Sequence, residues 1–165
     1  MAPIKAATNA GPLIYLAILG HHDLLRRCYD RVLIPQAVYH EVVVQGAGRP
    51  GADETFTATA NGQYEVVSVT NRIAVEALLD ELHLGEAEVI VLARELGVSR
   101  VLLDDGAARR KAKAMGLEVI GTIGILLLAR EAGLPINLKR DLDLLVQNGF
   151  RISSGVHHAL IKTTG

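Results

Sequence analysis

Val101-Leu102-Leu103 followed by Asp104-Asp105-Gly106 is an unbroken apolar run that ends on two acids and a glycine. A run with no polar residue at every second position suits a parallel strand covered on both faces. Outward from it, the chain alternates between short strands and longer helices. Upstream, Val89, Ile90, Leu92, Ala93 and Leu96 keep helical spacing, which predicts a helix over Gly85–Leu96 that Gly97 stops. Downstream, the pattern predicts a helix over Ala107–Met115 and a short strand over Leu117–Ile120. Helices over Thr122–Ala132 and Leu138–Gln147 and an amphipathic stretch, Ser154–Lys162, come next.

The same alternation holds toward the N-terminus. Ile4–Thr8 is a weak short strand, and Pro12–Leu19 a helix with Pro12 suited to its first turn. Arg31–Ile34 is a strand closed by Pro35, which cannot continue it but can open a helix over Gln36–Val44. Gly46–Gly62 is rich in Gly, Pro, Ala and Thr and reads as a surface excursion around a loose helix. Tyr64–Val69 is a strand and Arg72–Leu82 a helix. Strand–helix alternation with short connections predicts an α/β fold of three layers, α/β/α, around a central parallel sheet. Sites in such sheets lie beyond the carboxyl ends of the strands, where Asn9, Asp104 and Asp105 fall.

Composition narrows the function. The 165 residues suit one domain, 1–165, and half of them are hydrophobic, which excludes a disordered chain. Seventeen basic residues against eighteen acidic ones leave a formal charge of −1, so bulk charge does not announce a nucleic-acid binder. Cys28 stands alone, which excludes an internal disulfide framework and fits a reducing compartment. The start of the chain lacks the pattern of a secretory signal, and the apolar stretch Ile120–Ala129 is interrupted by Gly121, Thr122 and Gly124. The expectation is a cytoplasmic protein that makes no membrane contact.

Several groups could carry chemistry. Asp104 and Asp105 repel each other, so a divalent cation would offset them; alternatively Asp105 simply caps the helix that follows. Glu86 and Glu88 lie in a first helical turn, where acids complement the helix dipole. Their spacing turns them about 200° apart, so they do not both face one site. Glu41 borders the apolar positions Val38, Val42 and Val43, on a solvated flank or turned into a pocket, with the flank the commoner case. Arg109, Arg110, Lys111 and Lys113 form a basic run that either faces solvent or meets phosphates. His21-His22 and His157-His158 are adjacent pairs, a poor arrangement for one ion, and no His-x-Glu or Cys-x-x-Cys accompanies them. Gly121-Thr122-Ile123-Gly124 opens a helix and could hold an anion, without the ending of a P-loop. No serine sits in a Gly-x-Ser-x-Gly elbow.

Taken in order, the motifs carry a resemblance. They are Thr8-Asn9-Ala10-Gly11-Pro12-Leu13-Ile14, Val32-Leu33-Ile34-Pro35 leading to His40-Glu41, and Leu84-Gly85-Glu86-Ala87-Glu88. Leu102-Leu103-Asp104-Asp105 with Arg109, Gly121-Thr122-Ile123-Gly124 and Gly149-Phe150-Arg151-Ile152-Ser153 complete the set. This set resembles the PIN-domain family, the fold of the VapC-type toxin ribonucleases. Within it the match is to a subfamily with Asn-x-x-Pro-Leu-Ile, Gly-Glu-Ala-Glu, Asp-Asp-x-x-x-Arg and Gly-Thr-x-Gly motifs. The resemblance implies a metal-dependent endoribonuclease, the toxin of a toxin–antitoxin pair, with RNA as substrate and an antitoxin as partner. It implies that Asn9, Glu41, Glu86 and Asp105, with Asp104 adjacent, hold Mg²⁺ or Mn²⁺, and that Arg109 and Thr122 contact nucleic acid. Proteins of this type commonly pair, and the apolar content adds to the expectation of a homodimer.

Asn9 departs from the pattern, because PIN nucleases commonly carry Asp there, although Asn also occurs in this subfamily. An amide oxygen ligates a hard cation without adding charge, so weaker metal binding follows. The alternative reading is therefore a catalytically weak or inactive PIN protein that acts as a nucleic-acid-binding or regulatory module. A third is an unrelated α/β protein that binds a small phosphorylated ligand at Gly121–Gly124.

Overall fold

A computed structural model of the chain describes residues 2–162. Five parallel strands form one sheet: β1 (Lys5–Thr8), β2 (Arg31–Pro35), β3 (Tyr64–Val67), β4 (Arg100–Leu102) and β5 (Glu118–Ile120), in the order β3-β2-β1-β4-β5. The register pairs Ala7 with Leu33, Thr8 with Leu102, Ile34 with Val66 and Leu102 with Ile120. The weakest strand former, Lys5-Ala6-Ala7-Thr8, is thus the central strand. Position outweighs propensity there, because Ala6 and Ala7 are fully buried and their small side chains let helices close on both faces.

The helices are α1 (Ala10–Ile18), α2 (Leu24–Cys28), α3 (Gln36–Tyr39), α4 (Ala52–Ala60) and α5 (Arg72–Leu78). The rest are α6 (Leu84–Leu96), α7 (Gly106–Ala114), α8 (Thr122–Glu131), α9 (Leu138–Gln147) and α10 (Ser154–Lys162). Helix α6 lies on β1, β2 and β4 with α5 and α7 beside it, while α1, α2, α8 and α9 gather on one another. Right-handed crossovers produce this division, since the chain steps one way from β1 to β3 and the other way from β4 to β5. The reversal lies between β1 and β4, which leaves a crevice at their carboxyl ends. Helix α6 is apolar nearly all round: Ala87, Val89, Ile90, Val91, Leu92 and Ala93 are all buried, as befits a helix wedged against the sheet.

The fold is the expected one, with local differences. The helix expected over Gln36–Val44 is α3 followed by a π-helical stretch, His40–Gln45. Its run of β-branched Val42, Val43 and Val44 crowds a regular α-helix, and such wider turns recur at functional sites. Gly46–Gly62 does not hold a loose helix. Helix α4 buries Ala52, Thr55 and Ala58, and Glu54 accepts the Gly51 amide at 2.7 Å. Helix α2 is an added turn that no periodicity announced. Strand β3 stops at Val67 and α5 at Leu78, both short of expectation.

The adjacent histidines His21 and His22 serve different joints. His21 Nε2 meets Asp141 at 2.8 Å, whereas His22 sits between the Thr55 and Tyr64 hydroxyls at 3.3 Å each. Among the described residues no helix is long and apolar enough to cross a membrane.

Candidate active site

Strand β1 delivers Asn9. Its amide continues the ladder by donating to Leu102 O at 3.0 Å, so Asn9 sits beside the end of β4. Asn9 stands at the N-cap of α1, where an asparagine oxygen normally accepts a backbone amide, yet its side chain makes no capping bond. The Oδ1 atom faces Gly85 instead. A Cβ on Gly85 would stand 3.1 Å from Asn9 Oδ1 and 3.8 Å from Glu41 Oε2. Both oxygens therefore lie within 3.8 Å of one point, and only a glycine leaves that point open.

Glu41 comes from the π-helical stretch and is exposed, with no side-chain hydrogen bond among the described residues. Glu86, in the first turn of α6, is 7% exposed. Burial pushes its carboxyl above the ordinary range, and the charges of Asp105 and Glu41 push the same way. The imidazole and backbone amide of His83 pull it down, but the net direction is up. Asp105 caps α7, accepting the Ala108 amide on Oδ2 at 3.1 Å. The capping role is therefore real, and it also fixes the carboxylate that Glu86 feels. Glu88 faces elsewhere, as the helical spacing requires. Its oxygens accept the Ala37 amide at 3.0 Å and Arg72 Nη1 at 2.8 Å, which supplies α3 with the acceptor that Pro35 lacks at the N-cap.

Asp104 parts from this group. Its Oδ1 accepts the Thr122 amide and its Oδ2 the Thr122 hydroxyl, both at 2.7 Å. Burial raises this carboxyl, opposed by the two Thr122 bonds and the nearby Arg109. It lines a separate cavity of 500 Å³ with Arg109, Gly121 and Phe150. A Cβ on Gly121 would stand 2.9 Å from both Asp104 Oδ1 and Arg109 Nη1, so glycine is what lets this clamp close. Two expectations change as a result. Thr122 is fully buried and spent on Asp104, so it is not a nucleic-acid contact. The amide that would open a phosphate site at Gly121–Gly124 is taken by the same carboxylate, which removes the support for a phosphorylated ligand there. Arg109 also turns inward and donates Nη1 to Leu103 O at 2.8 Å. Asp104→Ala should cost about 2 kcal/mol of stability, because it strands the buried Thr122 groups. Mn²⁺ affinity should stay within about twofold of wild type; urea denaturation and metal titration together check this.

The donors near Asn9 are all oxygens, a set suited to Mg²⁺ or Mn²⁺ and not to zinc. Among the described residues no three acidic, histidine or cysteine side chains are gathered tightly enough to cage an ion. Mg²⁺ commonly takes only one or two carboxylates and completes its shell with water and substrate phosphate. The buried Glu86, repelled by Asp105 and Glu41, fits that mode of binding.

The family model for DUF3368, described as a PIN domain, matches residues 5–165. The chain belongs to the PIN-domain family. PIN domains are nuclease folds that generally use divalent metals and bind nucleic acid. No curated protein matches the chain. Among solved structures, the crystal structure of PAE2754 from Pyrobaculum aerophilum is 18% identical, with a TM-score of 0.54. The match covers 79% of this chain and 98% of that one, and at this identity it speaks for the fold alone. In this PIN domain Asn9 follows β1 and Asp104 and Asp105 follow β4, the neighbouring strands at which the order reverses. The sequence motif contains Gly85 but gives it no role, although a poor helix former just inside a helix start is a signal, and the cleft beside Glu41 has no signal in the sequence.

Proposed function

We propose that this PIN domain is a metal-dependent endoribonuclease and the toxin of a toxin–antitoxin pair. One observation carries the reading: Glu86 is buried in reach of Asp105 and Glu41, and His83 offsets this only in part, beside an asparagine whose side chain makes no capping bond. A buried carboxylate repelled by neighbouring acids is the arrangement that a bound cation would relieve. In this reading Glu86 and Asp105 supply charge, Glu41 an exposed carboxylate, and Asn9 a neutral oxygen. Asp105 keeps Oδ2 on the Ala108 amide, which leaves Oδ1 for the ion. A bound Mg²⁺ or Mn²⁺ stabilises the charge that develops on the phosphodiester as it is hydrolysed.

The test is cleavage of RNA in Mn²⁺ beside an Asp105→Asn control. Metal-dependent cleavage that the control lacks supports the nuclease, and growth arrest on expression that Asp105→Asn relieves supports the toxin. Salt-sensitive RNA binding without cleavage would favour the second reading, an inactive nucleic-acid-binding PIN protein. Asn9 speaks for that reading, since it removes one anion from the site. Asn9→Asp should raise Mn²⁺ affinity about tenfold, because a carboxylate a few ångströms from a cation is worth at least about 1 kcal/mol. A rise in cleavage rate with it would mean that wild-type activity is attenuated, not lost.

A further inference from the structure

We infer that the cleft beside Glu41 seats an unpaired nucleobase of the RNA strand, next to the phosphate presented to the acids. The inference rests on the nuclease reading and deepens it by stating how the strand is held. The cleft measures about 990 Å³ and runs between α3 with its π-helical extension, the start of α6 and the end of β3. Glu41 and Gly85 belong to its wall, and a Cβ on Gly85 would stand 3.1 Å from Asn9 Oδ1, so the wall is shared with the acids' surroundings. A group in the cleft is therefore a direct neighbour of the acids.

The lining chooses the occupant. Gln36, Tyr39, His40 and Gln45 all face the cleft, and none makes a side-chain hydrogen bond within the described residues. They stand among apolar walls such as Val66. Unused amides and imidazoles beside apolar surface suit a flat group with apolar faces and hydrogen-bonding edges. Charge tells against the phosphate as occupant. Among the described residues no lysine or arginine lines the cleft, and Glu41 is a carboxylate of its wall with no counter-charge, Glu88 being held by Arg72, so a phosphate would be repelled while a neutral base would not. A base stacked inside a duplex cannot enter such a recess. Recognition of this kind reads single-stranded RNA, whose bases can be splayed out.

The test uses short single-stranded RNAs with one abasic nucleotide placed in turn at each position around the cut. In Mn²⁺, one position next to the cut should lower kcat/KM about tenfold or more, and the others should matter little. Gln45→Ala and His40→Ala should lower cleavage of the intact strand but add no further loss on the sensitive abasic strand, the non-additivity of groups in contact. Neither variant should change Mn²⁺ titration in the absence of RNA. Cleavage that tolerates every abasic position, or losses that simply add, overturns the inference and leaves the nuclease standing. If no RNA is cut, the same cycle read as Kd by fluorescence anisotropy decides. A sensitive position there upholds the cleft while turnover fails, and the absence of any RNA binding rejects both.

Discussion

Asp141→Ala should lower the stability of the chain by about 3 kcal/mol and its Tm by roughly 6–12 °C. Asp141 is completely buried. Its Oδ1 accepts Arg140 Nε at 3.0 Å and Nη2 at 2.8 Å, and its Oδ2 meets His21 Nε2 at 2.8 Å. Arg140 Nη2 also donates to Leu19 O at 3.1 Å, so one carboxylate fastens α9 to the turn after α1. Breaking a buried ion pair by removing one partner commonly costs about 3–5 kcal/mol. The lower end applies because the Arg140 side chain is 53% exposed and can rehydrate. Asp141→Asn keeps the volume and one acceptor, and should cost less. Thermal unfolding followed by circular dichroism measures both, and a Tm unchanged by Asp141→Ala would show that the joint carries no stability.

Glu86→Gln should do the opposite to stability and far more to function. The Glu86 carboxyl is held above its ordinary range first by burial, then by Asp105 and Glu41. Folding therefore favours the protonated acid. The associated stability is fully present below the unfolded value, about pH 4, and is lost as pH rises through the folded one. Once pH exceeds both values the wild type carries the whole penalty. Glutamine removes it, so the variant should melt a few degrees higher at pH 7 and show no gain at pH 4. The same substitution takes a charge from the metal site and should cut Mn²⁺-dependent cleavage by about 100-fold or more, at least the effect of losing a residue that merely supports a ligand. Mn²⁺ should raise the Tm of the wild type, by about 2.7 kcal/mol of stabilisation at a hundredfold excess over Kd, and the variant should lose that shift. A variant that is less stable at pH 7 would make Glu86 an ordinary structural residue.

The sheet was legible because its signals are local. Val101-Leu102-Leu103 reads as a covered strand on its own, and the alternation around it leaves few topologies. Helix α2 escaped because five residues, Leu24–Cys28, are too few to establish a period. The site was legible only in part. Asp104 and Asp105 look equivalent in sequence, but β4 ends at Leu102 and the two carboxylates diverge. Asp104 reaches the start of α8, while Asp105 opens α7. The partner that decides this, Thr122, lies eighteen residues on, and no spacing rule connects them. Glu86 and Glu88 show the reverse, since helical geometry alone separates them. The cleft beside Glu41 draws on residues from α3, α6 and β3, so it exists only once the chain has folded.

In the proposed function, the oxygens of Asn9, Glu41, Glu86 and Asp105 form a site for a hard divalent cation. Calorimetric titration of Mn²⁺ into wild type, Asn9→Asp and Asp105→Asn tests it most directly, because it needs neither RNA nor turnover. Three separate affinities are expected, with Asn9→Asp tightest, wild type between, and Asp105→Asn weakest. Equal affinities in all three proteins would mean that the cluster is not a metal site.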